Sequence, residues 1–181
     1  MIIILTGPPG SGKDTQAELL VRNNDFLMIS PGAVLRDRAK TDPKLGQVLA
    51  QGDLADDLVV NQIISDFIEQ NPGKSIILDG FPRHLEQVSW LVSFLDRQSL
   101  LDTVCVIQLT ARDEVVAERA RKRHREDDSP DSFARRLAVF DQEIMPAITA
   151  LKNQFPNHEI DGTGTVAEVN QRITAALELS S

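Results

Sequence analysis

The chain has 181 residues, 41% hydrophobic and 25% charged, enough for one domain around a single core and unlike a disordered or fibrous composition. No apolar run approaches the ~20 residues that span a bilayer, and a net charge of -8 argues against general nucleic-acid binding, so any polyanion site has to come from a local cluster of cations. The one cysteine, Cys105, can form no internal disulfide and reads as an inert core thiol in the apolar run 104–109.

In chain order, residues 1–6 predict a strand; they lack a basic leader and run straight into a glycine loop, so no signal peptide and a cytoplasmic location are expected. Further strands are predicted at 26–30, 75–78, 103–109 and 158–160. Helices are predicted at 14–22, 31–40, 44–51, 56–69, 85–96, 113–122, 131–153 and 166–179. Runs such as Ile2-Ile3-Ile4-Leu5 and Ile76-Ile77-Leu78 do not alternate polar with apolar. They fit strands covered on both faces of a parallel sheet, hence an α/β domain. Ser129-Pro130 is a good helix start, and Pro146 is expected to kink the helix that contains it. Residues 31–71, between the second and third strands, are too long for a simple crossover and read as an inserted binding arm.

The run Gly7-Pro8-Pro9-Gly10-Ser11-Gly12-Lys13 lies between the first strand and the first helix, where a phosphate-binding loop belongs. Its glycines, Gly10 and Gly12 among them, let backbone N–H groups converge on phosphate oxygens beside a helix N-terminus. Lys13 adds a full charge for the outer phosphates. The usual pattern has Ser or Thr next, but here Asp14 intervenes and Thr15 follows. Asp79 stands at the carboxyl end of a strand, where open α/β sheets place ligands, and can order Mg²⁺ through water. Arg119, Arg121, Lys122, Arg123, His124 and Arg125 form the one dense basic cluster; it fits a solvated helix end as well as a site that neutralises transferring phosphate.

Residues 7–16, then Ser30-Pro31-Gly32-Ala33-Val34-Leu35-Arg36, Gly52-Asp53-Leu54-Ala55, Asp79-Gly80-Phe81-Pro82-Arg83 with Gln87, Arg125-Glu126-Asp127-Asp128 with Arg136, and 161–169 together resemble the adenylate kinase family in order along the whole chain. The resemblance implies a P-loop NTPase fold, a three-layer α/β/α domain with a five-stranded parallel sheet. It carries a monophosphate-binding arm at 30–59 and a very short lid at 119–128. It implies transfer of the γ-phosphoryl of ATP to AMP, dependent on Mg²⁺ held near Asp79 and Thr15 through water.

By the same resemblance, ATP meets Gly10, Ser11, Gly12, Lys13, Asp14, Thr15, Arg119, Arg123 and Gly164. AMP meets Pro31, Arg36, Asp53, Leu54, Ala55, Gly80, Phe81, Pro82, Arg83, Gln87, Arg125 and Arg136. The catalytic set is Lys13, Arg83, Arg123, Arg125 and Arg136. Arginine suits the acceptor phosphate because its planar fork binds oxygens bidentately and stays charged. Gln87 can offer a donor and an acceptor to one base edge, as glutamine does with adenine.

This sequence departs from the family at Asp14, which replaces a glycine, at Pro31, which replaces a threonine near the base, at Ala33, and in the shortened lid. With one cysteine it has no zinc site of the kind some long-lid relatives carry. The expected partners are small nucleotides, with no nucleic acid or membrane, and the expected state is a monomer. A UMP or CMP kinase and a catalytically weak nucleotide-binding regulator are the alternatives. Asp14 is expected to turn away from the phosphates toward a nearby cation or solvent, or else to join the water shell of Mg²⁺. His84 and His158 receive no catalytic role, and Trp90 is read as packing.

Overall fold

A computed structural model describes residues 1–50, 56–122 and 130–179. Five strands, β1 (Ile2–Thr6), β2 (Phe26–Ile29), β3 (Ser75–Asp79), β4 (Val104–Thr110) and β5 (Asn157–Asp161), form one parallel sheet in the order β2-β3-β1-β4-β5. The helices are α1 (Lys13–Asn23), α2 (Pro31–Ala39), α3 (Pro43–Ala50), α4 (Asp57–Gln70), α5 (Leu85–Arg97), α6 (Asp113–Lys122), α7 (Pro130–Val139), α8 (Met145–Lys152) and α9 (Val166–Ala176).

Period-two alternation sorts the strand residues between two cores. Ile2, Ile4, Ile76 and Leu78 pack with Ile64 of α4, Leu91 of α5 and Leu151 of α8 on one face. Ile3, Leu5 and Ile77 pack with Leu20 of α1 and Ile173 of α9 on the other. Every residue of β1 is buried, which is why its sequence shows no alternation: both faces are covered, so both need apolar side chains. The result is the three-layer α/β/α arrangement expected from the sequence.

The register brings two loops to the same edge. Leu5 pairs with Asp79, and the Gly80 N–H donates to the Leu5 carbonyl at 3.0 Å. The loop after β1 and the loop after β3 therefore leave the carboxyl ends of adjacent strands side by side, at the crevice where such sheets bind ligands.

The expected break near Pro146 lies just upstream of it. A π-helical turn, Phe140–Ile144, separates α7 from α8, and Pro146 sits in the first turn of α8. Proline lacks an N–H and its ring crowds the carbonyl four residues back, so a wider turn there accommodates both effects. Ser129 lies outside the described residues; Pro130 does begin α7. Trp90 stacks on Phe94 at 5.2 Å and meets Phe81 edge-on at 6.1 Å, which ties the loop after β3 to α5. Cys105 is half-buried in β4, and burial pushes its thiol pKa up, the direction of low reactivity. Among the described residues, no helix is long and apolar enough to cross a membrane.

Candidate active site

The phosphate loop opens directly from buried β1. Gly12 caps α1 in the left-handed region, at φ 93°, a conformation that costs little only without a Cβ. The N–H groups of the first helical turn are thereby aimed at the loop. A cleft of about 450 Å³ is lined here by Gly10, Ser11, Gly12, Lys13, Asp14 and Thr15, and also by Arg119 and Gly164. Every described residue assigned to ATP from the sequence thus borders one cleft. Arg119 closes it from α6, donating to the Ser11 carbonyl at 3.1 Å and to the Gly164 carbonyl at 3.3 Å. Ser11 Oγ is buried in this wall with no hydrogen-bond partner.

Lys13 lies between two carboxylates. Its Nζ is 3.1 Å from Asp79 Oδ1 and donates to Asp14 Oδ1. Asp14 does turn to a cation, but that cation is the loop lysine itself, so its carboxylate faces the cleft and not outward as expected. The reason is electrostatic: a half-buried ammonium at a helix N-terminus draws in the nearest anion, and Asp14 in the first turn also gains from the helix dipole. The Asp79 side chain is 4% exposed, and its Oδ1 is ion-paired with the Lys13 ammonium at 3.1 Å without an aligned hydrogen bond. A buried carboxylate beside the phosphate loop suits a hard, hydrated divalent cation, so Asp79 fits Mg²⁺ held through water, with Thr15 lining the neighbouring cleft.

On the other side of Asp79 is the loop after β3. Gly80 adopts φ 67°, and a Cβ there would sit 3.2 Å from Lys13 Cε and 3.5 Å from Arg83 Nη2, so glycine serves both the turn and the close approach of two cations. The Phe81–Pro82 peptide is cis, and Phe81 is buried against the core. Arg83 Nε donates to the Gly80 carbonyl at 2.8 Å, which fixes the guanidinium over the loop.

Pro31 opens α2 and is buried, and Arg36 projects from the same helix. A Cβ at Gly32 would lie 3.3 Å from Arg36 Nη1 and 3.4 Å from Arg83 Nη2. The two arginines, distant in sequence, therefore converge. Burial lowers the Arg83 pKa, Arg36 and Arg136 lower it further, and Asp79 and Asp14 pull the other way. Four arginine and carboxylate partners from four parts of the chain thus share one electrostatic field. Like charges held this close in part-buried surroundings are stabilised by an anion. Arg136 also lies 6.0 Å over the Phe133 ring.

Gln87 is buried on α5, with both ends of its amide engaged. The Arg83 N–H donates to Oε1 at 2.8 Å, and Nε2 donates to Asp57 Oδ1 at 2.7 Å. Asp57 Oδ1 is also 2.8 Å from His84 Nε2, and His84 Nδ1 is 2.9 Å from Glu86 Oε2. The Glu86 carboxyl is held below the usual range by its own backbone N–H and by His84. Asp57, His84 and Glu86 were not singled out from the sequence as a group. No local pattern signals it, because Asp57 lies thirty positions before Gln87 and is brought there by α4 packing on α5. Arg123, Arg125, Asp53, Leu54 and Ala55 lie outside the described residues. Among the described residues, no group of three or more His, Cys, Asp or Glu could hold a metal.

A protein-family model described as adenylate kinase matches residues 5–155. The adenylate kinase of Tropheryma whipplei (strain Twist) is 35% identical over 179 residues, covering 96% of this chain and 95% of that protein. That of Bartonella bacilliformis is 35% identical over 193 residues, covering 98% and 100%, and that of Xanthomonas euvesicatoria pv. vesicatoria is 36% identical over 187 residues, covering 98% and 99%. A phosphate loop, a strand-end aspartate and converging arginines on this sheet, matched by a family model across most of the sequence and by relatives over nearly their full lengths, mean that the chain belongs to the adenylate kinase family.

Proposed function

We propose that the protein transfers the γ-phosphoryl group of ATP to AMP, giving two ADP. The observation that carries this reading is the convergence of Lys13, Asp79, Arg83 and Arg36 where β1 and β3 end, beside a cleft suited to a nucleoside triphosphate. An acceptor that is itself a phosphate needs no general base. One of its anionic oxygens forms a bond to the γ-phosphorus as the bond to the β,γ-bridging oxygen breaks, and ADP leaves with that electron pair.

The work of the chain is then positioning and charge neutralisation. Loop amides and Lys13 hold the triphosphate, with Arg119 and Gly164 at the nucleoside end of the cleft. Arg36 and Arg83 grip the acceptor phosphate, and Arg136, with Arg123 and Arg125 from the short lid, offsets charge on the group in flight. Asp79 and Thr15 would hold Mg²⁺ through water, and the ion would supply positive charge that lowers repulsion among the phosphates. Pro31, Asp53, Leu54, Ala55 and the loop Gly80-Phe81-Pro82 pack the acceptor nucleoside, and Gln87 faces its base. Residues 30–59 act as the acceptor arm and 119–128 as the lid, in a cytoplasmic monomer like that expected for the family.

Asp14 tempers this site. To reach phosphate, Lys13 has to leave a carboxylate with which it forms a part-exposed pair, an interaction of about 0–1 kcal/mol. Asp14→Asn is therefore expected to lower KM for ATP by about two- to fivefold with kcat within about twofold. Steady-state kinetics at saturating AMP check this. A weaker dependence on Mg²⁺ together with unchanged KM would instead place Asp14 in the water shell of the metal.

The acceptor is tested by comparing kcat/KM for AMP, CMP, UMP and GMP with ATP as donor. AMP is expected to be the best. A preference of tenfold or more for CMP or UMP, about 1.4 kcal/mol, would overturn the assignment.

A further inference from the structure

The Gln87 amide can be read in only one orientation. Its Oε1 faces a backbone N–H, that of Arg83, which can only donate; its Nε2 faces Asp57 Oδ1, which as a carboxylate only accepts. Turning the amide over would set N–H against N–H and oxygen against oxygen at a side chain that is 2% exposed, where unsatisfied polar atoms are costly. The carboxylate is itself held, because His84 Nε2 lies 2.8 Å from the same oxygen while Glu86 steadies the other ring nitrogen at 2.9 Å.

We propose that Asp57, backed by His84, is a positioning residue that sets purine specificity by locking the Gln87 amide, without touching the base. This rests on the reading of Gln87 as the residue that faces the acceptor base. With the two contacts made, the amide has one N–H left on Nε2 and one lone pair left on Oε1. That pair complements a ring nitrogen beside an exocyclic amino group, the edge of a 6-aminopurine. A 6-oxopurine in the same pose presents an oxygen to Oε1 and a ring N–H to Nε2, and both contacts are repulsive. A free glutamine could turn its amide over and accept it; a locked one cannot. Buried hydrogen-bonding groups that have no alternative arrangement are what give large discrimination between such analogues.

The test is kcat/KM for AMP and for IMP, with ATP as donor, in the parent protein and in Asp57→Asn, His84→Asn and Gln87→Ala, each with its melting temperature. Asparagine can present either an acceptor or a donor to Gln87, so Asp57→Asn removes one of the two locks while keeping shape. The AMP-to-IMP ratio is expected to fall about tenfold or more in Asp57→Asn, and several-fold in His84→Asn. The loss for AMP should appear in KM with kcat within about threefold, because base contacts are shared by ground and transition states. A merely structural role would lower both substrates together and leave the ratio unmoved. Ratios within twofold of the parent in both variants, alongside a collapsed ratio in Gln87→Ala, would overturn the positioning role while leaving Gln87 as the base reader. An unchanged ratio in Gln87→Ala as well would show that Gln87 does not face the base, and the proposal would fall with that reading.

Discussion

Arg83→Ala is expected to lower kcat/KM for phosphoryl transfer by about 10³-fold, close to 4 kcal/mol of transition-state stabilisation. The placement of Arg83 depends on both halves of the site: its Nε is fixed to the Gly80 carbonyl at 2.8 Å, and its Nη2 would meet a Cβ at either Gly80 or Gly32. It stands between the loop beside Lys13 and the helix that carries Arg36. Removing it takes away a planar, bidentate donor at the point where the proposed transfer brings acceptor and triphosphate together. Arg83→Lys keeps the charge and loses the fork, so it should recover only part of the activity. The contact from the Arg83 backbone N–H to Gln87 survives both changes, which keeps the α5 end in place. Kinetics together with a melting curve check this. Activity within tenfold of the parent would remove Arg83 from the transfer site, and a variant that fails to fold would make its role structural.

Lys13→Met is expected to cost about 10²–10³-fold in kcat/KM, with weaker ATP binding by titration calorimetry. The physical basis is the arrangement around its ammonium. Lys13 opens α1 directly after the phosphate loop, and its ammonium lies between two carboxylates, Asp14 and Asp79. Without the ammonium those carboxylates face the phosphates directly, so the loss includes repulsion as well as a missing contact. For the same reason Lys13→Met combined with Asp14→Asn should recover part of the loss, whereas Lys13→Met with an unrelated surface change should not. Unchanged ATP affinity in Lys13→Met would contradict the placement of the triphosphate in this cleft.

Most of the scaffold is legible because it rests on short-range rules. Continuous apolar runs at Ile2–Leu5 and Ile76–Leu78 give doubly covered strands, and a glycine loop ending in Lys13 gives the strand-to-helix turn. The convergence of Arg36 and Arg83 needed the resemblance to a family, since nothing in their spacing shows that α2 and the loop after β3 meet. Asp14 departs from its expected outward direction because attraction to the Lys13 ammonium, which the residue pattern alone does not weigh against repulsion from bound phosphate, draws its carboxylate into the cleft. The π-helical turn before Pro146 depends on how a helix absorbs a missing N–H, which the residue types alone leave open. The Asp57–Gln87–His84 group depends on α4 docking against α5, and its members carry no shared local signature.

The fate of the transferred phosphorus distinguishes a kinase from a hydrolase or a nucleotide-binding protein. With ATP labelled at the γ position and unlabelled AMP, the label is expected in the β-phosphate of newly formed ADP, with two ADP appearing for each AMP consumed and no release of inorganic phosphate above background. Label released as inorganic phosphate would make the site a hydrolase, and tight binding of both nucleotides without movement of the label would make it a nucleotide-binding protein that does not transfer; either result would contradict the account.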